Sequence, residues 1–193
     1  MFSAVEMTIT VSRVCGHSET QDIRYKGTRE KQQIQHYERL RFCKACQQQI
    51  RDWFSDSSAA PYPLSLRPLS GSEKQVAWAD RLRAGRAFQL LKVMALAASD
   101  GSKTGIALWQ AIHTFIQQCQ ARFWIDNKDE VYGPDYFALE ASYYLMPSTI
   151  GVQFSPRSIF GMLKEKAPYR IQEAKAILPH PKNEVVSETQ AIS

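Results

Sequence analysis

Apolar and polar positions alternate from Thr8 to Val14 (TITVSRV), and the β-branched residues in that run suit a pleated strand. Asp22 to Lys26 (DIRYK) reads as its partner, and Gly27-Thr28 ends that strand and can cap a helix. The period then changes. Residues 29–42 are strong helix formers, with Ile34, Tyr37, Leu40 and Phe42 roughly on one side and Arg29, Lys31, Arg39 and Arg41 on the other. A second helix is predicted from Cys43 to about Phe54. Residues 55–71 (SDSSAAPYPLSLRPLSG) hold Pro61, Pro63 and Pro68, which exclude a helix and predict a linker, extended and packed along the body.

Beyond the linker the helical period dominates. Ser72-x-x-Gln75 has the form of a capping box, and the helix behind it is predicted to run to about Ala98, with Gly85 as its weak point. Asp100-Gly101-Ser102 is a break. Ile106, Trp109, Ile112, Ile116, Cys119 and Phe123 recur at spacings of three and four, which predicts a helix over about 104–124 with a core-facing stripe and a buried thiol at Cys119. Residues 124–135 read as a polar loop, DYFALEASYYLMP as helix or partial strand, and 158–178 as a helix kinked or split at Pro168. The expected architecture is α-rich (α+β). It comprises a zinc-binding module over 1–54 with a short β-hairpin of treble-clef or ribbon type, the linker over 55–71, a helical domain of four or five helices over 72–178, and a flexible tail over 179–193.

Composition narrows the class. Of 193 residues, 44% are hydrophobic and 22% charged, values typical of a globular protein with a real core. No run approaches the ~18 uncharged apolar residues of a membrane span, and the N-terminus lacks the charged and apolar regions of a signal peptide. A cytoplasmic location is therefore expected. There, clustered cysteines bind metal rather than pair with one another.

Three of the four cysteines fall in the first 46 residues. Cys15-Gly16-His17 is followed after 25 residues by Cys43-Lys44-Ala45-Cys46. Two close pairs of thiol and imidazole donors on two tight turns are what a tetrahedral, structural zinc requires. Gly16 lets the first pair curl around one point, and the second pair opens a helix whose free N–H groups favour thiolates. One structural Zn²⁺ held by Cys15, His17, Cys43 and Cys46 is the expected cofactor.

The same residues admit a rival. His17-x-Glu19 with Cys43-x-x-Cys46 matches much of the H-x-E…P-C-x-x-C signature of zinc nucleobase deaminases, in which Glu19 would move protons. Phe42 stands where that signature has proline, Cys15 offers a fourth ligand that would exclude water, and the segment after Glu19 alternates like a strand where a deaminase needs a helix. If the site is structural, Glu19→Gln should change neither zinc content nor stability.

Other chemistry is sparse. GSKTG at 101–105 lacks the spacing of a phosphate-binding loop, and no nucleophile elbow is present. His36 and His180 are isolated, and His113 flanks the apolar stripe as a satisfied, half-buried imidazole. Asp126, Asp129, Glu130 and Asp135 cluster in one loop and could hold a divalent ion; Asp126-Asn127 more simply pins a helix end. Tyr132, Tyr136, Phe137, Tyr143 and Tyr144 are expected to pack inside, or if exposed to offer a binding platform.

The net charge is +5. Nine cations face six anions in residues 1–54, so the excess concentrates near the zinc ligands. Arg29, Arg39, Arg41 and Lys44, joined by Arg13 and Arg24 on the strands, are predicted to form one basic face. Arg81, Arg83 and Arg86, with Lys74 and Lys92, are predicted to form a second on the long helix. Both are candidate surfaces for a partner or for nucleic-acid phosphates.

Three motifs carry a resemblance: Cys15-Gly16-His17 with Tyr25, Gly27 and Cys43-x-x-Cys46; Gly71-Ser72-Glu73-Lys74-Gln75-Val76-Ala77-Trp78-Ala79 with Arg83; and Trp124-Ile125-Asp126-Asn127. Together they resemble a family of uncharacterised accessory proteins of bacterial mobile elements and phages. The resemblance implies a zinc site and a bacterial cytosol, and no catalytic residue. The function expected is that of a non-enzymatic binding protein that docks on a host protein or nucleoprotein complex, for example to inhibit a defence complex such as a CRISPR effector. A nucleic-acid-binding accessory protein is the alternative, and the deaminase the third reading.

Overall fold

Strands β1 (Val5–Ser12) and β2 (Ser18–Tyr25) pair antiparallel, with Val5 opposite Tyr25 and Ser12 opposite Ser18. The computed structural model describes residues 4–179; the predicted tail and His180 lie outside them, apart from Pro179. Strand alternation turns Ile9, Val11 and Ile23 inward, where Met7, Tyr25 and Ile34 complete a small core of their own. β1 ends before Val14 because the turn takes over: the Arg13 N–H donates to the His17 carbonyl at 2.8 Å. β2 starts four residues earlier than predicted. Its first positions carry no apolar signal, and polar cross-strand pairs hold them instead, with the Thr8 hydroxyl donating to Asp22 at 2.6 Å and the Thr10 and Thr20 hydroxyls 3.4 Å apart.

Helix α1 (Thr28–Arg39) lies over the hairpin and buries none of its residues fully. Ile34 and Leu40 are half-buried, but Tyr37 is 62% exposed, and Phe42 sits past the helix end in the main core. The predicted apolar side of α1 is thus only partly a core side. Helix α2 (Lys44–Ser55) docks on the body through the fully buried Ile50, and Phe54 stacks on Phe137 at 5.7 Å.

Residues 56–72 contain no helix, yet they are strapped along the body. The Tyr62 N–H donates to the Leu91 carbonyl at 2.9 Å, the Tyr62 ring meets Trp109 edge-on, and Leu64, Leu66 and Leu69 pack against the core. Ser70 forms a parallel bridge with Gln120.

The body holds six helices among the described residues, where four or five were predicted: α3 (Glu73–Asp100), α4 (Lys103–Ile116), α5 (Ala121–Asp126), α6 (Pro134–Leu145), α7 (Ile159–Lys166) and α8 (Pro168–Ala176). Ser72 and Gln75 form the predicted capping box at the start of α3. Helix α4 is buried nearly all round, with eleven of its fourteen residues inside, and occupies the centre; α3, α6 and α8 pack around it. Pro168 separates α7 from α8. The aromatic stretch packs inward, with Phe137, Tyr143 and Tyr144 buried.

The predicted helix over 104–124 breaks at 117–120, and long-range partners explain why. Gln117 accepts from the Arg67 N–H and donates to the Ser65 carbonyl, both at 2.8 Å. The freed carbonyls of Gln117, Gln118 and Cys119 accept from Arg170, the Trp124 indole and the Ser70 N–H respectively. Cys119 consequently sits half-exposed in the break, not buried on a helix stripe.

Two helical glycines differ sharply. At Gly105, where α4 begins against α3, a Cβ would lie 2.4 Å from the Ala97 carbonyl oxygen, so the close approach requires glycine. Gly105→Ala is expected to cost about 1–2 kcal/mol through overpacking, read as a lower urea midpoint at unchanged slope. At Gly85, inside α3, an added Cβ would meet nothing within 4 Å. The fold gains nothing there from a residue that weakens an exposed helix by about 1 kcal/mol relative to alanine.

Candidate metal centre

The hairpin turn and the start of α2 meet at one point. Gly16 adopts a φ of +88°, which lets Cys15 and His17 face the same way. Cys43 is the N-cap of α2 and Cys46 lies one turn on, so both thiols sit where the helix presents its free N–H groups. The donor atoms of Cys15, His17, Cys43 and Cys46 all lie within 4.8 Å of one another, so the cluster can hold one metal ion. His17 turns Nδ1 inward, 3.5 Å from the Cys43 sulfur and 3.3 Å from that of Cys46. The three cysteines are buried and His17 is exposed.

Surrounding groups orient the sulfurs. The Cys43 N–H donates to the Cys15 sulfur at 3.5 Å and the Cys46 N–H to the Cys43 sulfur at 3.4 Å. The Thr104 hydroxyl, from the first turn of α4, donates to the Cys46 sulfur at 3.3 Å. The body therefore supports a ligand of the module, and the cysteines share one continuous core with α3 and α4. Thr104 had no sequence signal, because its partner is 58 residues away. Burial pushes the Cys46 thiol up to about 12, with the neighbouring sulfurs adding to the effect. Burial acts the same way on Cys15, but N–H donors from Cys43 and His17 outweigh it and lower that thiol. A cation among the three sulfurs thus has to expel a proton from Cys46, which makes binding pH-dependent.

Glu19 does not aim at the cluster. Its carboxylate pairs with the Arg13 guanidinium at 2.9 Å, and its other oxygen accepts from the Lys44 N–H at 3.4 Å. Arg13 also reaches Glu38 and the Gln21 side chain, and its own side chain is only 4% exposed. Burial pushes the Glu38 carboxyl up, but the Arg13 guanidinium outweighs it and holds that carboxyl below the usual range. Arg13 therefore stitches the hairpin to α1 and belongs to no basic face.

The other predicted cations divide in the same way. Arg29, Arg39, Arg41 and Lys44 are exposed, but Arg29 and Arg39 stand at opposite ends of α1, about 15 Å apart along its axis. Arg24 pairs loosely with Glu6, and Arg41 with Glu38. On α3, Arg81 and Lys74 are exposed, whereas Arg83 is buried and bonded to the Arg67 carbonyl and Asp80. Arg86 clamps the 127–130 loop through the carbonyls of Asn127, Lys128 and Glu130. The second predicted basic cluster is accordingly split, because Arg83 and Arg86 are used inside the fold.

The acidic loop residues do not converge. Asp126 pairs with Arg122, Asp129 with Lys128, Glu130 with Arg157 and Asp135 with Arg51, each on a different cation. Asn127 caps α5, and its side-chain amide donates to the Phe123 carbonyl at 2.7 Å. His113 stacks on Trp109 at 4.9 Å, and burial together with Arg67 and Arg170 lowers it to about 4. It stays neutral at physiological pH, and its buried Nδ1 has no partner among the described residues, contrary to the expectation of a satisfied imidazole.

No helix of the described residues is long and apolar enough to cross a membrane. No protein-family model, curated protein or solved structure matches the chain.

Proposed function

We propose that the chain is a non-enzymatic docking protein, stabilised by one structural zinc and acting on a host protein or nucleoprotein complex in a bacterial cytosol. Convergence of four protein donors on one point carries the reading. Zn–S bonds near 2.3 Å and a Zn–N bond near 2.0 Å set tetrahedral donors about 3.5–3.8 Å apart. The sulfur-to-nitrogen separations of 3.3 and 3.5 Å fit that polyhedron. Three thiols and one imidazole fill it without water, so the ion holds the hairpin to the body rather than activating a nucleophile. The resemblance to mobile-element and phage proteins supports the accessory role, with inhibition of a defence complex such as a CRISPR effector as its specific form. A nucleic-acid-binding role is the second reading, favoured by exposed Arg39, Arg41 and Lys44 between the end of α1 and the start of α2, with Arg29 exposed at the far end of α1.

X-ray absorption on the purified protein tests the site. One zinc with three sulfurs and one nitrogen is expected. A bound water, with Cys15 dispensable and cytosine or adenine deamination that depends on Glu19, would establish the deaminase instead. Glu19→Gln is expected to keep full zinc content. Its stability should fall by about 1–2 kcal/mol, because a charge-assisted bond to the buried Arg13 is weakened while Glu38 remains. That loss revises the expectation from sequence that stability would not change.

A further inference from the structure

Helix α3 presents one arc that is largely exposed, tied to the fold only at its Lys92 end. Lys74, Trp78, Arg81, Gly85, Phe88 and Lys92 fall within about 80° of one another at 100° per residue, over about 27 Å of axis. Trp78 is 48% exposed and Phe88 58%. The Lys92 ammonium lies over the Phe88 ring at 5.0 Å and anchors to the Ser57 carbonyl. Arg81 and Lys74 have no acidic partner among the described residues. The nearby acids lie off the arc, and Asp80 is committed to Arg83.

We infer that this arc docks an acidic amphipathic helix of a partner protein. The inference rests on the docking reading above and names its surface. Gly85, one turn after Arg81 and one turn before Phe88, makes a notch into which another backbone can press. A missing side chain with open space above it serves close helix approach and serves nothing inside this chain. Trp78 and Phe88 are the residue types that anchor interfaces, and the unpaired Lys74 and Arg81 match acids on the partner's flanks. A second copy would set the same cations against themselves. A nucleic-acid strand would use the rings and cations but not the notch.

The test pans the zinc-loaded full chain against displayed 20-residue helical peptides that share an apolar stripe and vary Glu, Lys, Gln and Ala elsewhere. Net-acidic peptides should win. Their affinity should fall at least tenfold in Trp78→Ala, Phe88→Ala, Arg81→Glu and Gly85→Gln. Gly85→Gln is the sharpest variant, because it should melt higher than the parent while binding worse. Basic or neutral winners, no enrichment, or winners indifferent to Gly85→Gln would overturn the inference. Winners sensitive to Arg39→Glu and Arg41→Glu but not to the α3 variants would leave docking intact and move its surface to α1. If peptides fail and a 20-nucleotide single strand binds through Arg29, Arg39 and Lys44, both this inference and the docking reading fall.

Discussion

Cys46→Ser should release the proposed zinc and unfold the hairpin and α1 while leaving α2 and the helical body standing. The boundary of that loss follows from packing. The hairpin core consists of three buried side chains, Ile9, Val11 and Ile23, with half-buried neighbours, and α1 buries no residue fully. Three such side chains make too small a core to hold some thirty residues without a staple. Structural zinc in small modules contributes apparent binding energies on the order of 10 kcal/mol, and that energy is folding energy. Helix α2 is different: Ile50 is fully buried, Trp53 and Phe54 pack on the core, and Gln89 donates to the Phe54 carbonyl at 3.1 Å. Hydrogen exchange should therefore show residues 5–39 exchanging at unfolded rates in the variant, with α3 and α4 protected as in the parent. Full protection of β1 and β2 without zinc would overturn the structural role. Global unfolding would mean that the Thr104 contact couples the site to the whole body. A module ending at residue 54 would take α2 with it; the core that α2 shares with the body restricts the expected loss to the hairpin and α1.

The convergence of the four donors was legible because their information is local. Each pair sits within three residues, and a turn glycine and a helix start complete the pattern. The capping box at Ser72 and Gln75 and the split at Pro168 were legible for the same reason. What failed was non-local. The break at 117–120 depends on Ser65, Arg67 and Arg170, which no periodicity over 104–124 reveals. Thr104 supports Cys46 across the module boundary. Charge was the most misleading signal. A sequence counts Arg13, Arg83 and Arg86 as surface cations, whereas carboxylates and carbonyls elsewhere in the chain draw them inside. The composition identified a cationic excess, and only the packing separated its structural members from the free ones. The arc on α3 emerged from that subtraction.

Glu140→Gln should stabilise the protein above pH 7 and lose that advantage toward pH 5. Glu140 lies in α6, 3% exposed, with one oxygen accepting from the Phe160 N–H at 2.8 Å at the start of α7 and the other without a partner. Burial raises its carboxyl to about 7, opposed by the Phe160 and Ile159 N–H groups and the Ser158 hydroxyl. The folded state thus holds a proton that the unfolded chain, titrating near 4.5, has released. Between those values the native state binds more protons, so stability is highest at the acid end and declines as pH rises through 7. The span corresponds to about 3 kcal/mol. Tyr136, Tyr143 and Tyr144 beside it are all raised by burial and stay neutral throughout, so they do not blur the window. Glutamine keeps an acceptor for Phe160 and never ionises. Its gain at pH 8.5 should approach 2 kcal/mol by order of magnitude, reduced by the amide left facing the unpartnered side. Acid also strips zinc from thiolates and imidazole, so the raw stability of either protein will fall at low pH for an unrelated reason. The difference between the two proteins cancels that common effect. Urea unfolding from pH 6 to 8.5 should give a difference that grows with pH and levels off above 7.5. A constant difference would mean that Glu140 stays ionised in the folded state, and that the α7 N-terminus stabilises its charge more than burial opposes it.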